Sequence, residues 1–388
     1  MLLTLTAKVR IYPSAEQRAL LSETMREFVN GCNTVSKHCF TEETLSQSEI
    51  HRAIYFQLRE RHGLKSQMAQ SAIKKVIAAY KTIHSSNKKW SVEPVFKRHT
   101  LDLVWGRDYS LTAANQFSIN TLGGRVKCDA AWDGPIAEYR NGRFGTAKLT
   151  HKHGKWFLHI PVTINVPDPQ TPQNIVGVDL GINFLAVSYD SQGETSFESG
   201  KEVKHKRSVN SERRAELQTK NTRSARRRLK AIGARENRWM SDINHQVSKA
   251  LVTSVDKPTL FVLEDLKGIR EVTERVKKPQ RYVQVSWAFH QLRTMIEYKA
   301  AKHGHTVIAV DPAYTSQTCP KCGHVCKNNR NKKAHSFRCR NCGYRSNDDR
   351  VAAMNLHRLG IQYQMQLSSA TSGAQGAQST VPCVSSSS

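Results

Sequence analysis

Three acids and four cysteines stand out in this chain because their surroundings or spacing suit them for chemistry. Asp179 interrupts the apolar run Ile175-Val176-Gly177-Val178, and Glu264 closes another, Leu260-Phe261-Val262-Leu263. An ionised carboxylate at the end of a buried strand is costly unless it is paired or bound to a metal. Either acid alone reads most simply as a solvated strand end, but two in one basic α/β half point to a shared role. A nuclease that works with two Mg²⁺ about 4 Å apart draws its ligands from carboxylates on neighbouring strands and a helix. The third candidate lies in NDDRVAAMNLHRLG, whose core face runs through Ala352, Ala353, Leu356 and Leu359. On a wheel of about 100° per residue, Asp349 falls about 20° from Leu356 and Asp348 about 80° away on the other side. Asp349 should therefore face the sheet, with Asp348 as the helix cap. Gly177 and Gly181 flank Asp179 and would let a phosphate backbone approach.

The cysteines form two pairs, Cys319-Pro-Lys-Cys322 and Cys339-Arg-Asn-Cys342, separated by 16 residues and each followed by glycine, Gly323 and Gly343. Two such knuckles aim four thiolates at one tetrahedral zinc ion. The segment is too short and polar to fold on apolar burial, so the ion would stabilise it outright. Cys326 falls outside the pairing, although it could exchange with Cys322. Cys32, Cys39, Cys128 and Cys383 read as structural or incidental. A ribbon of this kind says little about function by itself.

The rest of the composition narrows the class. A chain of 388 residues holds two or three domains, and 38% apolar with 23% charged content is that of a soluble globular protein. Lys and Arg number 59 against 32 Asp and Glu, a net charge of +27, which calls for a polyanionic partner, most commonly nucleic acid. No run of about 20 uncharged apolar residues suggests a membrane span. The N-terminus reads as a strand rather than a signal peptide, and the paired cysteines then suit a reducing, cytoplasmic compartment.

The elements that must position these groups follow from periodicity. In residues 4–12, Leu5, Val9 and Ile11 share one face, the pattern of a half-buried strand. Pro13 ends it, and Ser14 with Gln17 predicts a capping box. Helical spacing then runs through Leu20, Leu21, Met25 and Phe28, reappears near 47–60, and is clearest in Met68, Ala72, Ile73, Val76, Tyr80 and Ile83. From about 100 to 167, short alternating runs between turn residues predict a small antiparallel barrel or sheet, which the first strand joins. A linker, 166–173, precedes IVGVDLGINFLAVSYD. Residues 201–238 carry 14 Lys and Arg against 4 Asp and Glu, predicting a basic helical hairpin that is either solvated or turned toward nucleic acid. A helix through His245–Val255, a strand at 259–265, a basic loop from Arg270 to Arg281, a helix over Trp287–Lys302 and a strand at 306–311 follow. Strand alternating with helix implies an α/β sheet with parallel pairs. The Ser-rich end, from about 365, should be disordered.

At this point GVDLGINFLAV, VLEDL, DPAYTSQTCPKCG and CRNCGY with the following DD-x-x-AAMNL resemble the TnpB family, insertion-sequence proteins related to type V CRISPR effectors. VRIYPSAEQ, PVFK and NHQVSKALV extend the resemblance over nearly the whole chain. It implies an RNase-H-like (RuvC-type) nuclease at 173–314 and 347–364, carrying a basic insertion at 201–255 and a zinc ribbon at 315–346. It also implies an oligonucleotide-binding-like wedge barrel at 1–12 and 95–172, a helical recognition insert at 13–94 and a disordered tail at 365–388.

By the same resemblance Asp179, Glu264 and Asp349 are the catalytic acids and the ligands of two Mg²⁺, while Cys319, Cys322, Cys339 and Cys342 hold one structural zinc. A guide RNA from the element's end would pair with double-stranded target DNA beside a short motif. A monomer is the simpler expectation. Gln67, Gln70, Ser71, Lys74 and Lys75 are candidates to read that motif, and Arg213, Arg214, Arg226, Arg227 and Arg228 to hold the duplex. The third motif departs from the family pattern, with Val351 where asparagine is usual, although Asn355 and both alanines are kept. Two other readings remain: a nuclease-silent RNA-guided repressor, and a protein-only RNase-H-like nuclease or transposase.

Overall fold

The computed structural model describes residues 1–375 except 87, 133, 266–288, 312 and 333. Two compact units divide the chain, one over Leu2–Asn165 and one over Val166 onward together with Met1.

In the first unit, β1 (Leu2–Tyr12) buries Ala7, Val9 and Ile11 on alternate positions. Three helices follow: α1 (Ala15–Thr41), α2 (Gln47–His62) and α3 (Ser66–Ser85). The box at the start of α1 forms as the spacing predicts, with Gln17 N donating to Ser14 Oγ and Ser14 N donating to Gln17 Oε1. The helices close on Leu21, Met25, Phe28, Met68, Ile73, Val76 and Tyr80.

Strands β2 (Thr100–Leu103), β3 (Tyr109–Ala113), β4 (Gln116–Thr121), β5 (Gly124–Ala131), β6 (Arg143–Phe144), β7 (Ala147–Lys152) and β8 (Lys155–Asn165) then pair antiparallel. The order is β2-β7-β8-β1-β5-β4-β3, with β6 beside β8. β1 lies in the middle, paired along ten residues with β8 and at its end with β5.

The second unit opens with β9 (Asn174–Asp179), β10 (Phe184–Tyr189) and β11 (Thr195–Ser199), antiparallel neighbours. Then come α4 (Lys201–Lys220) and α5 (Arg223–Thr253). The sequence divides a basic hairpin from a separate helix at His245–Val255, whereas α5 is one 31-residue helix serving both. Its polar first half covers α4, and its second half packs Met240, Val247 and Leu251 into the core. Strand β12 (Thr259–Glu264) is followed, beyond the undescribed stretch that holds the predicted basic loop, by α6 (Phe289–Lys302) and β13 (Thr306–Val310).

The sheet order is β11-β10-β9-β12-β13, with β12 parallel to both neighbours. The ribbon consists of β14 (Arg330–Asn331), β15 (Ser336–Arg338) and β16 (Arg345–Asn347), after which α7 runs Asp348–Gln375. The tail predicted to be disordered from 365 is therefore helical to 375; its remainder, with Cys383, lies outside the described residues. A helix nucleated and packed further back propagates through weakly patterned sequence at little extra cost.

The period of two along a strand sorts the core into layers. Val176, Val178, Phe261 and Leu263 face α5 and α6, whereas Ile175, Leu260 and Val262 face Leu356 of α7. Two glycines admit α7. A Cβ on Gly177 would lie 2.1 Å from Ala353 O and 2.3 Å from His357 N, and one on Gly360 would lie 2.6 Å from the Val262 side chain. Gly177 is thus required by the helix, not left open for a phosphate backbone. Gly181 likewise serves the chain's own turn, where a Cβ would meet Phe184 O at 2.9 Å.

Candidate active site

Strand parity also decides where the acids point. Asp179 shares the parity of Ile175 and Gly177, and Glu264 that of Leu260 and Val262, so both face the α7 side. The register pairs Val178 with Leu263, which makes Asp179 and Glu264 the next residues on adjoining parallel strands. Asp265, of opposite parity, is held instead by Arg293 of α6 at 2.8 Å. Asp349, in the first turn of α7, supplies the third carboxyl, placed by the contact at Gly177.

Burial raises all three acids, and Asp179 also feels the other two. Burial pushes Asp179 well above the usual carboxylate range, and the nearby charges of Glu264 and Asp349 push it further. Burial also raises Glu264, against a stabilising hydrogen bond from Thr315. Asp349 is raised by burial and then by Asp348, with Arg330 opposing. Carboxylates crowded into low dielectric favour their neutral forms until a cation joins them. Hard oxygen donors of this kind fit Mg²⁺ or Mn²⁺. Their donor atoms do not close on a single point, however. Among the described residues, the groups of three or more such side chains with every donor atom within 4.8 Å are the four cysteines and His335–Asp348–Asp349.

Four residues near the acids carried no signal in the sequence for the places they take. Arg330 of β14 donates from Nε to Asp348 Oδ2 at 2.7 Å and lies 3.6 Å from Asp349 Oδ1. Thr315 donates to Glu264 Oε1 at 2.6 Å. His335, at the tip before β15, lies 3.6 Å from Asp348. Asp348 is fully buried, and it is not the cap. Asn347 caps α7 instead, its Oδ1 accepting from the backbone N of Asp349 at 2.9 Å and of Arg350 at 3.1 Å. The periodicity put Asp349 on the sheet face correctly but stopped one residue short of the cap. Only fold geometry brings the ribbon's arginine to these acids.

The ribbon repeats one knuckle twice. Gly323 N donates to Cys319 O and Gly343 N to Cys339 O, and both glycines have positive φ, +74° and +73°. Cys319 N donates to His324 O, and Cys339 N to Tyr344 O. The Cys319–Cys342 and Cys322–Cys339 sulfurs are 3.6 Å apart. Thiolates bound at about 2.3 Å to one zinc sit about 3.8 Å from each other on a tetrahedron's edges, so the four cysteines could hold that ion. Burial pushes the Cys319 thiol up to about 12, whereas the backbone at His324 draws Cys322 down to about 6. Cys326 stands outside the group. Val351 is buried with Cys319, Phe337 and Cys339, so the departure from the usual asparagine adds an apolar contact seating the ribbon on α7.

These placements meet known proteins in two stretches. Residues 159–268 match the family described as "Probable transposase", and residues 289–356 that described as "Cas12f1-like, TNB domain". A TnpB-like protein of Methanocaldococcus jannaschii is 29% identical over 57% of this chain and 80% of its own length. In these stretches the chain resembles the TnpB family. The CRISPR-associated endodeoxyribonuclease Cas12f1 of Syntrophomonas palmitatica is 31% identical over 69% of this chain and 55% of that protein. The chain spans about half the length of the Cas12f1 relatives it matches. The solved structure of a Cas12f1–sgRNA–target DNA complex shares the mixed α/β multidomain fold, with a TM-score of 0.64 at 16% identity, covering 92% of this chain and 99% of that one.

The predicted nucleic-acid contacts divide. Arg213, Arg226, Arg227 and Arg228 are exposed, but Arg214 is ion-paired with the buried Glu236 at 2.6 Å. In α3, Lys74 is exposed and Gln67 and Gln70 are half-buried. Ser71 is buried, so it cannot read a base. Lys75 donates to Thr100 Oγ1 and pairs with Asp102 at 3.3 Å, over the Phe28 ring. Both sit on the face of α3 turned toward the unit's interior, which the helical pattern alone assigned too narrowly. No helix among the described residues is long and apolar enough to cross a membrane.

Proposed function

We propose that this chain is a transposon-encoded, RNA-guided DNA endonuclease that hydrolyses phosphodiesters beside a short adjacent motif. One observation carries the proposal: Asp179, Glu264 and Asp349 come from two adjoining parallel strands and a helix to the same face of one sheet. The names of the relatives, endodeoxyribonuclease among them, agree with that chemistry.

In this reading residues 173–314 and 347–364 are the RuvC-type, RNase-H-like core, with the 201–255 insertion and the 315–346 ribbon. Residues 1–12 and 95–172 form the wedge barrel, and 13–94 the recognition insert. The three acids would hold Mg²⁺, which when bound makes a water acidic enough to attack phosphorus and neutralises charge on the leaving oxygen. The chain's own residues do the rest. Asp179 and Glu264 are fixed by the sheet and Asp349 by the close packing of α7 on Gly177. Arg330 holds Asp348 and screens Asp349 from it. The four ribbon cysteines would take one zinc, fastening Arg330 and Thr315 in place. Base pairing with a guide RNA would read sequence, while Arg213, Arg226, Arg227, Arg228 and Lys74 grip nucleic-acid backbones.

RNA that co-purifies with the protein tests the guided reading, and its sequencing should return one defined species. The ribonucleoprotein should cut matching duplex DNA with Mg²⁺, and the Asp179→Ala protein should leave it intact. Guided binding without cleavage by the unaltered protein would favour a silent repressor, and RNA-independent cutting a protein-only nuclease.

A further inference from the structure

Glu264 has a side-chain hydrogen-bond donor in Thr315. Thr315 Oγ1 donates to Glu264 Oε1 at 2.6 Å, and Thr315 is buried. A short O–H···O⁻ bond is a charge-assisted one and fixes direction as well as distance. Thr315 belongs to a tight turn between β13 and the first ribbon cysteine. In that turn Gln317 N and Thr318 N both donate to Tyr314 O, and Tyr314 takes a left-handed conformation, φ +63°. A left-handed tyrosine is strained and persists only where its surroundings hold it.

Asn355, a buried residue of α7, does the holding. It donates from Nδ2 to Thr315 O at 2.7 Å and to Thr318 O at 2.8 Å. Both protons of one amide are thus used to clamp the two ends of the turn. A continuous chain runs from α7 through Asn355 and Thr315 to Glu264. The same helix carries Asp349, so one rigid element sets two acids, one directly and one through this relay.

Resting on the reading of the three acids as cation ligands, we propose that Thr315 is a positioning residue. Its hydroxyl turns the Glu264 carboxylate so that one oxygen faces the ion, and Asn355 keeps that hydroxyl in register. With Oε1 held by Thr315, Oε2 is the oxygen that this relay would present to the ion. The threonine of DPAYTSQTC and the asparagine of the AAMN run then have one joint purpose.

The experiment is Mn²⁺ titration of the full-length, zinc-loaded chain freed of nucleic acid at high salt, read by electron paramagnetic resonance. Asp179→Ala defines the class of sites that belongs to the acids. Supporting ligands of this kind change metal affinity by roughly 10–100-fold. Thr315→Val, nearly isosteric, should weaken that class by at least about tenfold with an unchanged unfolding midpoint. Thr315→Ser should restore affinity to within about threefold of the parent, since it keeps the hydroxyl. Asn355→Ala should weaken binding as well, and combined with Thr315→Val should add little more, because the two act through one bond. Full affinity in Thr315→Val, or a Thr315→Ser protein as weak as Thr315→Val, would overturn the relay and leave the acids' assignment standing. Absence of any Asp179-dependent Mn²⁺ class in the parent protein would overturn both.

Discussion

The ribbon and the carboxylate cluster are two candidate metal sites in one unit, and they are built in opposite ways. All four ribbon cysteines fall within residues 319–342, and each knuckle closes on its own backbone with a left-handed glycine. The acids come from positions 179, 264 and 349 and meet only when β9, β12 and α7 are assembled. If the cysteines take an ion, their local knuckles could organise it without the sheet. The acids repel one another and are pushed toward their neutral forms, so the folded sheet must hold them together. A local site depends on its metal, whereas a dispersed site depends on its scaffold. Arg330 and Thr315 join the two, because both are rooted in the ribbon segment and both reach an acid.

The largest effect that separates the sites is removal of zinc. Structural zinc contributes roughly 10–16 kcal/mol in small zinc-binding peptides. A strong chelator, or Cys319→Ser, should release about one zinc per chain and abolish amide protection across 319–347. Protection in β9, β12 and β13 should persist, as hydrogen exchange can check. Collapse of the whole sheet would show that the ribbon is no separate folding element.

Next is Gly177→Ala, aimed at the scaffold. Its Cβ would run into the backbone of α7, which cannot swing aside as a side chain could. Overpacking of this kind costs about 1–3 kcal/mol or more. The denaturation midpoint should fall and Mn²⁺ affinity with it, while zinc content stays at the parent's value.

Arg330→Met tests the link between the sites. It strands the Asp348 charge, which is fully buried, and breaking such a pair costs about 3 kcal/mol. Zinc should be retained.

These cases also mark what the sequence could disclose. Cysteine spacing, the Ser14–Gln17 box and the phase of Asp349 depend on neighbours within a few residues, and each was legible. The use of Gly177 was not, since the backbone it admits belongs to residues 353–357, far along the chain. Neither were Arg330, Thr315 or the burial of Ser71, which follow from how elements pack rather than from periodicity. The union of basic hairpin and packed helix in α5 was missed because its polar half lacks an apolar stripe to extend.

A pH series gives a smaller effect. Burial raises Asp179, Glu264 and Asp349, and the charges of Glu264 and Asp349 raise Asp179 further, so the metal-free site keeps protons at pH values where free carboxyls have released them. A cation must displace those protons, so apparent Mn²⁺ affinity should fall as pH is lowered through the raised range. Ribbon zinc should be held below the pH at which Mn²⁺ is released if its thiolates are already committed to the metal.

The smallest effect on the fold belongs to the hairpin surface. Arg226, Arg227 and Arg228 are exposed, and changing them to Gln should alter stability by no more than about 0.5 kcal/mol. For each phosphate these arginines neutralise, the change should reduce the slope of log affinity against log salt for duplex nucleic acid by about 0.9. An unchanged slope would return this face to plain solvation.

That three dispersed acids form a two-ion site is tested most directly by anomalous diffraction from crystals of the zinc-loaded chain soaked in Mn²⁺. Two manganese peaks about 4 Å apart between Asp179, Glu264 and Asp349 are the predicted result. A single peak among His335, Asp348 and Asp349, or none near Asp179, would contradict it.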